Sequence, residues 1–309
     1  MRRTGANDRQ RESGMSGMSK IAVLGCGVMG ARFAKRLANA GFDVSAWNRS
    51  PEKAEALARY GVKPLSTAAE ACAGRDVVIS MMTDGPANDA VLFAAGAAKA
   101  MNTGAVIISM GTISVHEAVE QAERARSLGL DYVDAPVSGG ETGATEGTLT
   151  IMAGGDASTL ERLAPILDVL GTVTRMGPVG SGTLAKLASQ NIVAVTLCAV
   201  SEALVFAERG GADPVAVRKA LLGGFARSAI LRQHGERMIR ADWKPGGVAV
   251  NQVKDQKALL RVAKENGLDL RFAELALEAF RDLCDHGDGD LDHSAVYREI
   301  QRRCGLPPK

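Results

Sequence analysis

Aromatic residues and net charge are both scarce in this sequence. Only 4% of its 309 residues are aromatic, and the formal net charge is +2. A nucleic-acid-binding domain shows a basic patch or stripe, and single-stranded binders add aromatic side chains for base stacking. The chain has neither feature, so nothing in its composition favours a nucleic-acid partner.

Cysteines are few and do not form a recognisable pattern. The five cysteines include no CxxC pair and do not make the even set that a disulfide framework needs: Cys26, Cys72, Cys198, Cys284 and Cys304. Unpaired cysteines are typical of a reducing compartment. We therefore expect a cytoplasmic protein.

Long apolar runs are also missing. The longest, from Ile192 to Ala207, is interrupted by Glu202 and falls short of the roughly 18 to 20 residues of a spanning helix. The first eighteen residues, Met1 to Met18, lack the apolar stretch of a signal peptide. We expect no membrane partner and a disordered tail over residues 1–18.

No metal-binding pattern stands out. The four histidines have no HExxH or paired spacing, and we expect surface or capping roles for them: His116, His234, His286 and His293. The acidic residues near the C-terminus partly match a calcium loop, but His293 stands where the sharp turn requires glycine. Metal binding is not expected, and Asp292 is predicted to cap a helix that begins near Ser294.

A glycine motif follows the first predicted strand, Lys20 to Leu24. It reads Gly25-Cys26-Gly27-Val28-Met29-Gly30 and leads into a helical pattern over residues 31–40. Gly25 suits a tight turn, Gly27 a close approach of the backbone to a pyrophosphate, and Gly30 close packing of helix and strand. The strand, turn and helix together predict a dinucleotide site, with the pyrophosphate at the helix N-terminus.

The second predicted strand, Asp43 to Trp47, ends in Asn48-Arg49-Ser50, and we expect these three residues to contact the cofactor. An NAD enzyme places an acidic residue here to bind the ribose 2′-hydroxyl. No acid is present, and a guanidinium binds a 2′-phosphate well. The sequence therefore favours NADP over NAD, with Arg49 as a plain turn residue being the alternative.

Strand and helix patterns alternate as far as residue 133, which predicts a doubly wound parallel sheet of the Rossmann type. Ligands of such sheets lie at the carboxyl ends of the strands. We expect the loops that carry Met81, Met82 and Thr112 to face the cofactor, although Thr112 is also a candidate helix cap.

A second glycine-rich segment follows the strand near Leu130 to Val133. It reads Asp134-Ala-Pro-Val-Ser138-Gly139-Gly140. Consecutive glycines leave backbone N–H groups accessible, so Ser138, Gly139 and Gly140 are candidates for an anion-binding nest. A glycine-rich hairpin without a ligand is the alternative.

The chain is organised around a third stretch, Gly177-Pro-Val-Gly180-Ser-Gly182, followed by about thirty residues without proline or interior glycine. This pattern predicts a long helix with Lys186 one turn inside it. Because residues 192–207 are almost all apolar, we expect this helix to be buried on every face. More of it is apolar than a small domain covers, so we expect a homodimer or homotetramer.

Together these motifs resemble those of the β-hydroxyacid dehydrogenase family, which includes 3-hydroxyisobutyrate dehydrogenases and tartronate, glyoxylate or succinic semialdehyde reductases. The glycine motif at Gly25 resembles the family's cofactor motif, the segment at Asp134 its substrate motif, and Gly177 to Lys186 its catalytic motif. Lys254-Asp255 and the turn from Gly287 to Ser294 match two further family features.

The resemblance implies an NAD(P) domain, residues 19–181, joined by a long interdomain helix to an all-α domain, residues 182–309. It implies that Lys186 is the general acid or base, that Ser138, Gly139 and Gly140 hold a substrate carboxylate, and that Thr112 and Lys254 contact the cofactor. It thus implies hydride transfer between the nicotinamide and a small β-hydroxy acid or its semialdehyde.

The chain departs from the family pattern at two places. Gln190 stands where the family has asparagine, which favours the semialdehyde reductase branch. Asn191 lies about 100° away around the helix, and either residue is a candidate for the asparagine's role. Gly247 takes the place of an aromatic residue, which leaves the size of the substrate open.

Two other functions fit the same architecture. One is an imine reductase, and the other is a catalytically silent NADP-binding scaffold. Imine reductases of this architecture usually replace the catalytic lysine, and the silent relatives have lost it, so the presence of Lys186 argues against both functions.

Overall fold

The computed structural model describes residues 20–309, so the predicted disordered tail, residues 1–18, lies outside the described residues. The chain divides into two compact units between Lys186 and Leu187. The predicted domain boundary between residues 181 and 182 stays a prediction.

Unit 1 is built on a nine-stranded sheet. Its strands are β1 Lys20–Leu24, β2 Asp43–Trp47, β3 Lys63–Pro64, β4 Val77–Ser80, β5 Val106–Ser109, β6 Asp131–Asp134, β7 Val137–Ser138, β8 Leu149–Gly154 and β9 Gly171–Gly177.

The first six strands are parallel and lie in the order β3-β2-β1-β4-β5-β6. This is the strand order of a dinucleotide-binding doubly wound sheet. After β6 the sheet becomes mixed, since β8 is antiparallel to β6 and β7 and parallel to β9. The predicted Rossmann-type fold is therefore confirmed, and the glycine-rich segment extends the same sheet.

Seven helices accompany these strands: α1 Val28–Asn39, α2 Pro51–Glu55, α3 Ala68–Cys72, α4 Gly85–Asp89, α5 Val115–Ser127, α6 Gly140–Glu146 and α7 Ala157–Leu167. Both faces of the sheet are buried. On β1, Ile21 and Val23 face a core shared with α1, whereas Ala22 and Leu24 face one shared with α3 and α5. Such two-sided burial explains why the parallel strands read as continuous apolar runs.

Unit 2 is entirely helical within the described residues. The long helix α8, Ser181–Arg209, begins in unit 1 and continues into unit 2, where it is followed by α9 Pro214–Leu221, α10 Ala229–Arg240, α11 Ala249–Glu265, α12 Arg271–Leu283 and α13 Val296–Arg303. Leu197 and Leu204 of α8 form a core with Phe280 of α12 and with Tyr297 and Ile300 of α13. The helical C-terminal region predicted from the sequence is confirmed.

Helix α8 is only partly buried within a single chain. Ile192 is 67% exposed and Phe206 is 81% exposed. This agrees with the expectation that one small domain does not cover the whole helix, and burial of the remainder by a second copy stays a prediction. By length and a mean hydropathy of 1.6, α8 is also long and apolar enough to cross a membrane, and 33% of its apolar window is buried inside the chain. One such helix is weak evidence for a membrane span.

Candidate active site

The glycine turn after β1 has the geometry that its sequence predicts. Gly25 has φ +91°, and a Cβ there would lie 2.5 Å from the Met81 carbonyl oxygen. A Cβ on Gly30 would lie 1.9 Å from the carbonyl oxygen of Gly25. Both glycines are therefore required by the protein's own packing.

Gly27 differs from its neighbours, because a Cβ there would meet no described atom within 4 Å. The next residue, Val28, begins α1 and is 58% exposed. No side chain caps this helix N-terminus, and its first turn contains no acidic residue. Uncapped N–H groups and the helix dipole suit an anion, so these residues fit the pyrophosphate of a dinucleotide.

Asn48, at the end of β2, uses its side chain within the protein. Its Oδ1 accepts a hydrogen bond from the backbone N–H of Cys26 at 2.8 Å, and its Nδ2 donates to the Ser50 carbonyl at 3.0 Å. Asn48 thus holds the glycine turn in place. Arg49, beside it, is exposed, which leaves its guanidinium accessible to a ligand.

The loops after β4 and β5 pack beside this turn. A Cβ on Gly25 would collide with Met81, and a Cβ on Gly111 would lie 2.4 Å from the Met82 carbonyl oxygen. The structure therefore brings Met81 and Met82 to the carboxyl ends of the strands, next to the glycine turn.

Thr112 is not the cap of the following helix. Ser114 caps α5 by accepting the backbone N–H of Glu117 at 3.2 Å, and the Glu117 carboxylate accepts that of Ser114 at 2.7 Å. This is a complete capping box. The capping alternative for Thr112 is therefore wrong, and Thr112 lies half-buried in the loop that precedes the cap.

Asp134, the last residue of β6, is 1% exposed. Its Oδ1 accepts the backbone N–H of Gly180 at 2.7 Å, and its Oδ2 accepts that of Thr183 at 2.6 Å. Burial raises the pKa of this carboxyl to about 6, although the two hydrogen bonds lower it. The group is therefore mostly ionised at neutral pH.

The turn at Ser138 lies four residues further along the chain. Gly139 has φ +128° and Gly140 has φ +62°, both in the region that favours glycine. Ser138 is half-buried, whereas both glycines are exposed. The turn therefore presents backbone to solvent, as an anion-binding nest requires.

Lys186 lies one turn inside α8 and is 9% exposed. Lysine side chains are almost never buried to this degree unless they are paired, since desolvation of the ammonium is costly. A lysine that snorkels to water, the ordinary arrangement for this residue type, is not what the structure shows. Its burial makes Lys186 a candidate functional residue.

In unit 2, Gln190 is held by α11. Its Nε2 donates to Asp255 Oδ2 at 2.9 Å, and its backbone carbonyl accepts from Gln256 Nε2 at 3.3 Å. Asp255 is 4% exposed and Gln256 is fully buried. Sequence reasoning singled out Lys254 but missed Asp255 and Gln256, although Asp255 stands in the same Lys-Asp pair.

Asn191 is placed differently from Gln190. Its Oδ1 is buried and has no hydrogen-bond partner among the described residues. Such an orphaned acceptor suits a ligand hydroxyl or a bound water. The Gln190 amide is therefore hydrogen-bonded within the protein, whereas the Asn191 Oδ1 is an unpaired acceptor among the described residues.

A second polar cluster in unit 2 was not foreseen. The ligand atoms of His234, Asp292 and His293 lie within 4.8 Å of one another. Asp292 is fully buried, and its oxygens accept N–H groups of Ser294 at 3.1 Å, Gly246 at 2.8 Å and Gly247 at 3.3 Å. The predicted capping role of Asp292 agrees with these contacts, and His234 and His293 lie half-buried beside it.

The negative charge of Asp292 is balanced by neighbouring groups of the protein. Burial by itself raises the pKa of Asp292, but contacts from His234, Ser294 and Gly246 outweigh it and place the pKa well below its usual range. Burial lowers the pKa of His293 to about 4, and Arg237 Nη1 lies 3.3 Å from the Asp292 carboxylate. The Asp292 carboxylate already accepts hydrogen bonds from backbone N–H groups and lies beside the Arg237 guanidinium. We therefore interpret the cluster as a hydrogen-bond network that stabilises the fold.

The residues that partly match a calcium loop are also used in ion pairs. Asp288 contacts Arg298 at 2.8 Å and Arg302 at 2.5 Å, and Glu299 contacts Arg302 at 3.2 Å. These contacts give Asp288 and Glu299 a structural role in ion pairs. An open groove between α4 and α5 contains none of the predicted site residues and so has no part in the site.

Unit 1 thus combines a dinucleotide-type sheet, a glycine turn with an uncapped helix N-terminus and a buried lysine one turn into α8. These features define a nicotinamide-dependent oxidoreductase. Residues 20–179 match the NAD-binding domain of 6-phosphogluconate dehydrogenase, and residues 180–300 match the NAD-binding region of NADP-dependent 3-hydroxyisobutyrate dehydrogenase. The chain belongs to the β-hydroxyacid dehydrogenase family and is an NAD(P)-dependent hydroxyacid dehydrogenase by that membership.

Individual relatives cover nearly the whole chain. The 2-hydroxy-3-oxopropionate reductase of Escherichia coli is 42% identical over 284 residues, which are 91% of this chain and 97% of the relative. The 3-hydroxyisobutyrate dehydrogenase of Mycobacterium tuberculosis, solved with L-serine, has a TM-score of 0.85 at 30% identity and covers 92% of this chain and 99% of its own. An imine reductase from Myxococcus stipitatus shares the fold, with a TM-score of 0.63 at 20% identity over 91% of this chain and 99% of its own.

Proposed function

We propose that the chain is an NADP-dependent reductase of a short semialdehyde or 2-oxo acid, and the dehydrogenase of the corresponding β-hydroxy acid in reverse. The observation that carries this proposal is Lys186, buried at 9% exposure one turn into α8. The E. coli relative, by its name a 2-hydroxy-3-oxopropionate reductase, points to a three-carbon substrate.

Lys186 acts as the general acid or base. In reduction, its ammonium polarises the carbonyl and donates a proton to the forming alkoxide, and in oxidation the neutral amine takes the hydroxyl proton. Bound nicotinamide supplies or accepts the hydride. Gln190 supports the lysine from the next turn of the helix, and Asp255 keeps its amide in one orientation.

The substrate carboxylate is assigned to the turn of Ser138, Gly139 and Gly140. The exposed backbone at Gly139 and Gly140 supports this role, because N–H groups in such turns form anion-binding concavities. The orphaned Oδ1 of Asn191 is the acceptor for a substrate hydroxyl.

NADP is the proposed cofactor. Gly27, Val28, Met29 and the neighbouring glycines take the pyrophosphate at the start of α1, and Arg49 takes the 2′-phosphate. The loops that carry Met81, Met82 and Thr112 contact the cofactor in this proposal. Lys254 is assigned to the cofactor by the family resemblance. The absence of an acid at the end of β2 supports this preference, since an acid would repel the 2′-phosphate.

Lys186 also weighs against the two alternative functions. Imine reductases and silent scaffolds of this architecture usually have another residue in place of the catalytic lysine, so a buried lysine here argues against both. The likeness to imine reductases, at 20% identity, is one of fold.

We further propose a cytoplasmic homodimer or homotetramer. The five free cysteines support the location, and the exposed apolar residues of α8 support the assembly.

The test is a spectrophotometric screen of NADPH oxidation with 2-hydroxy-3-oxopropionate, succinic semialdehyde, glyoxylate and a cyclic imine. We expect turnover of at least one of the three acids and none of the imine. Lys186→Ala should keep NADPH binding and lose at least about 100-fold in kcat, the scale of general acid-base catalysis.

Lys257→Ala is the matched control, because Lys257 is an exposed lysine on α11 and should leave kcat unchanged. Unchanged turnover in Lys186→Ala, or turnover of the imine alone, would overturn the proposed function.

A further inference from the structure

The start of α8 has no cap of its own. Its N-cap residue, Gly180, has no side chain and has φ +93°, so a capping serine or aspartate would be strained there. The hydroxyl of Ser181 donates to the Pro178 carbonyl at 2.6 Å and is already used. The N-terminal amides of a helix nevertheless need acceptors when they are buried.

Asp134 supplies the missing cap from another part of the chain. In an ordinary capping box, the N-cap side chain accepts the N–H of the third helical residue, whose side chain accepts the N-cap N–H in return. Here one carboxylate does both, with Oδ1 accepting from Gly180 at 2.7 Å and Oδ2 from Thr183 at 2.6 Å. The donor and acceptor are 46 and 49 residues apart.

Two further glycines make room for this contact. A Cβ on Gly154, which pairs with Asp134 across β6 and β8, would lie 2.3 Å from Asp134 Oδ1 and 2.8 Å from the Gly182 nitrogen. A Cβ on Gly182 would lie 2.5 Å from the Asp134 carbonyl oxygen and 2.3 Å from that of Met152. The first turn of α8 therefore rests directly on the ends of β6 and β8.

This contact joins the two segments that the proposed chemistry uses. Asp134 precedes the Ser138 turn by four residues, and Thr183 precedes Lys186 by three, which places both on the same side of α8. We infer that Asp134 is a positioning residue that sets Lys186 relative to the substrate turn through its hydrogen bonds to Gly180 and Thr183. This inference rests on the proposed function.

Asp134→Asn tests the role. The amide keeps one acceptor oxygen but turns an N–H₂ donor toward the second helix N–H, so one hydrogen bond is lost and the first turn shifts. We expect kcat to fall about 10- to 100-fold, the effect of a small misplacement of a catalytic group, while the Kd for NADPH stays within about twofold.

Two readouts separate positioning from a loss of folded protein. Activity is expressed per NADPH site titrated in the same preparation, so unfolded chains are not counted. The kinetic isotope effect on kcat with NADPH deuterated at C4 should rise, because a misplaced acid makes the chemical step slower than product release. Asp131→Asn is the control, since Asp131 lies on the same strand and pairs with Arg162 at the surface.

The outcomes are distinct. An active wild type with an unchanged kcat and isotope effect in Asp134→Asn overturns the inference alone, whereas a wild type inactive on all three acids overturns the proposed function. If Asp134→Asn does not fold, hydrogen exchange of the wild type decides. Slow exchange of the Gly180 and Thr183 amides supports the contact, and exchange as fast as at an uncapped helix N-terminus overturns it.

Discussion

At the scale of single residues, the side chain of Asn48 is bonded within the protein, whereas that of its neighbour Arg49 is exposed. Asn48 and Arg49 were both predicted to meet the cofactor's ribose. Asn48 has both ends of its amide bound within the protein, so its effect on the cofactor passes through the glycine turn. In the proposed function, discrimination between NADP and NAD depends on the exposed Arg49.

Arg49→Ala should therefore weaken NADPH binding about 10- to 150-fold and leave NADH binding nearly unchanged. A hydrogen bond to a charged group contributes about 1.5–3 kcal/mol, and only NADPH carries the 2′-phosphate. Fluorescence titration of the two cofactors measures this. Arg59→Ala removes another exposed arginine, one that stacks on Tyr60, and should change neither affinity. NADPH binding that Arg49→Ala leaves intact would remove Arg49 from the cofactor site.

At the scale of elements, the turn from β1 to α1 contains two glycines whose surroundings differ, Gly27 and Gly30. Gly30 is needed for folding, because the carbonyl of Gly25 occupies the space of a side chain. Gly27 has free space around it, and its φ of −72° is open to any residue. The protein's own packing therefore does not require glycine at Gly27, and the proposed pyrophosphate contact is the reason we assign to it.

A pair of variants tests this distinction. Gly30→Ala should lower the free energy of unfolding by at least about 2 kcal/mol, as overpacking does. Gly27→Ala should change it by less than about 1 kcal/mol, since alanine is only a poorer N-cap than glycine, yet weaken NADPH binding more than tenfold. Urea unfolding of the cofactor-free protein and NADPH titration give the two numbers. Equal cofactor affinity in Gly27→Ala and wild type would contradict the assigned pyrophosphate position.

At the scale of the whole molecule, α8 has an uncovered apolar stripe. Ile192 and Phe206 lie fourteen residues apart, nearly four helical turns, and both point to solvent together with Ala199 and Ala203. Large exposed apolar residues aligned on one helix face mark an interaction surface. A second copy of the same helix would match a stripe of small and large apolar residues.

Light scattering after gel filtration should accordingly show at least a dimer. Ile192→Glu places a charge on the stripe and should shift the protein toward the monomer, because burying an unpaired carboxylate is costly. Val215→Glu makes the same kind of change at another exposed valine and should leave the assembly intact. A monomeric wild type would refute the stripe as a dimer interface.

The elements and the cofactor turn could be predicted from the sequence because their causes are local. The strand before Gly25, the alternation that follows and the helix around Lys186 each depend on residues within a few turns of one another. The cap of α5 also depends on local residues, but Thr112 was the predicted candidate and Ser114 forms the cap. The family motifs then indicated the site residues.

The remaining features depend on residues far apart in the chain. By itself the sequence determined the Rossmann-type sheet, the helical C-terminal region and the position of Lys186 one turn into a long helix. Only the tertiary structure decided that Asp134 caps that helix, that Asp255 holds Gln190 and that His234 meets His293. Each of these contacts joins residues at least 46 positions apart. The periodicity of a local segment does not predict which distant donor and acceptor will meet after folding.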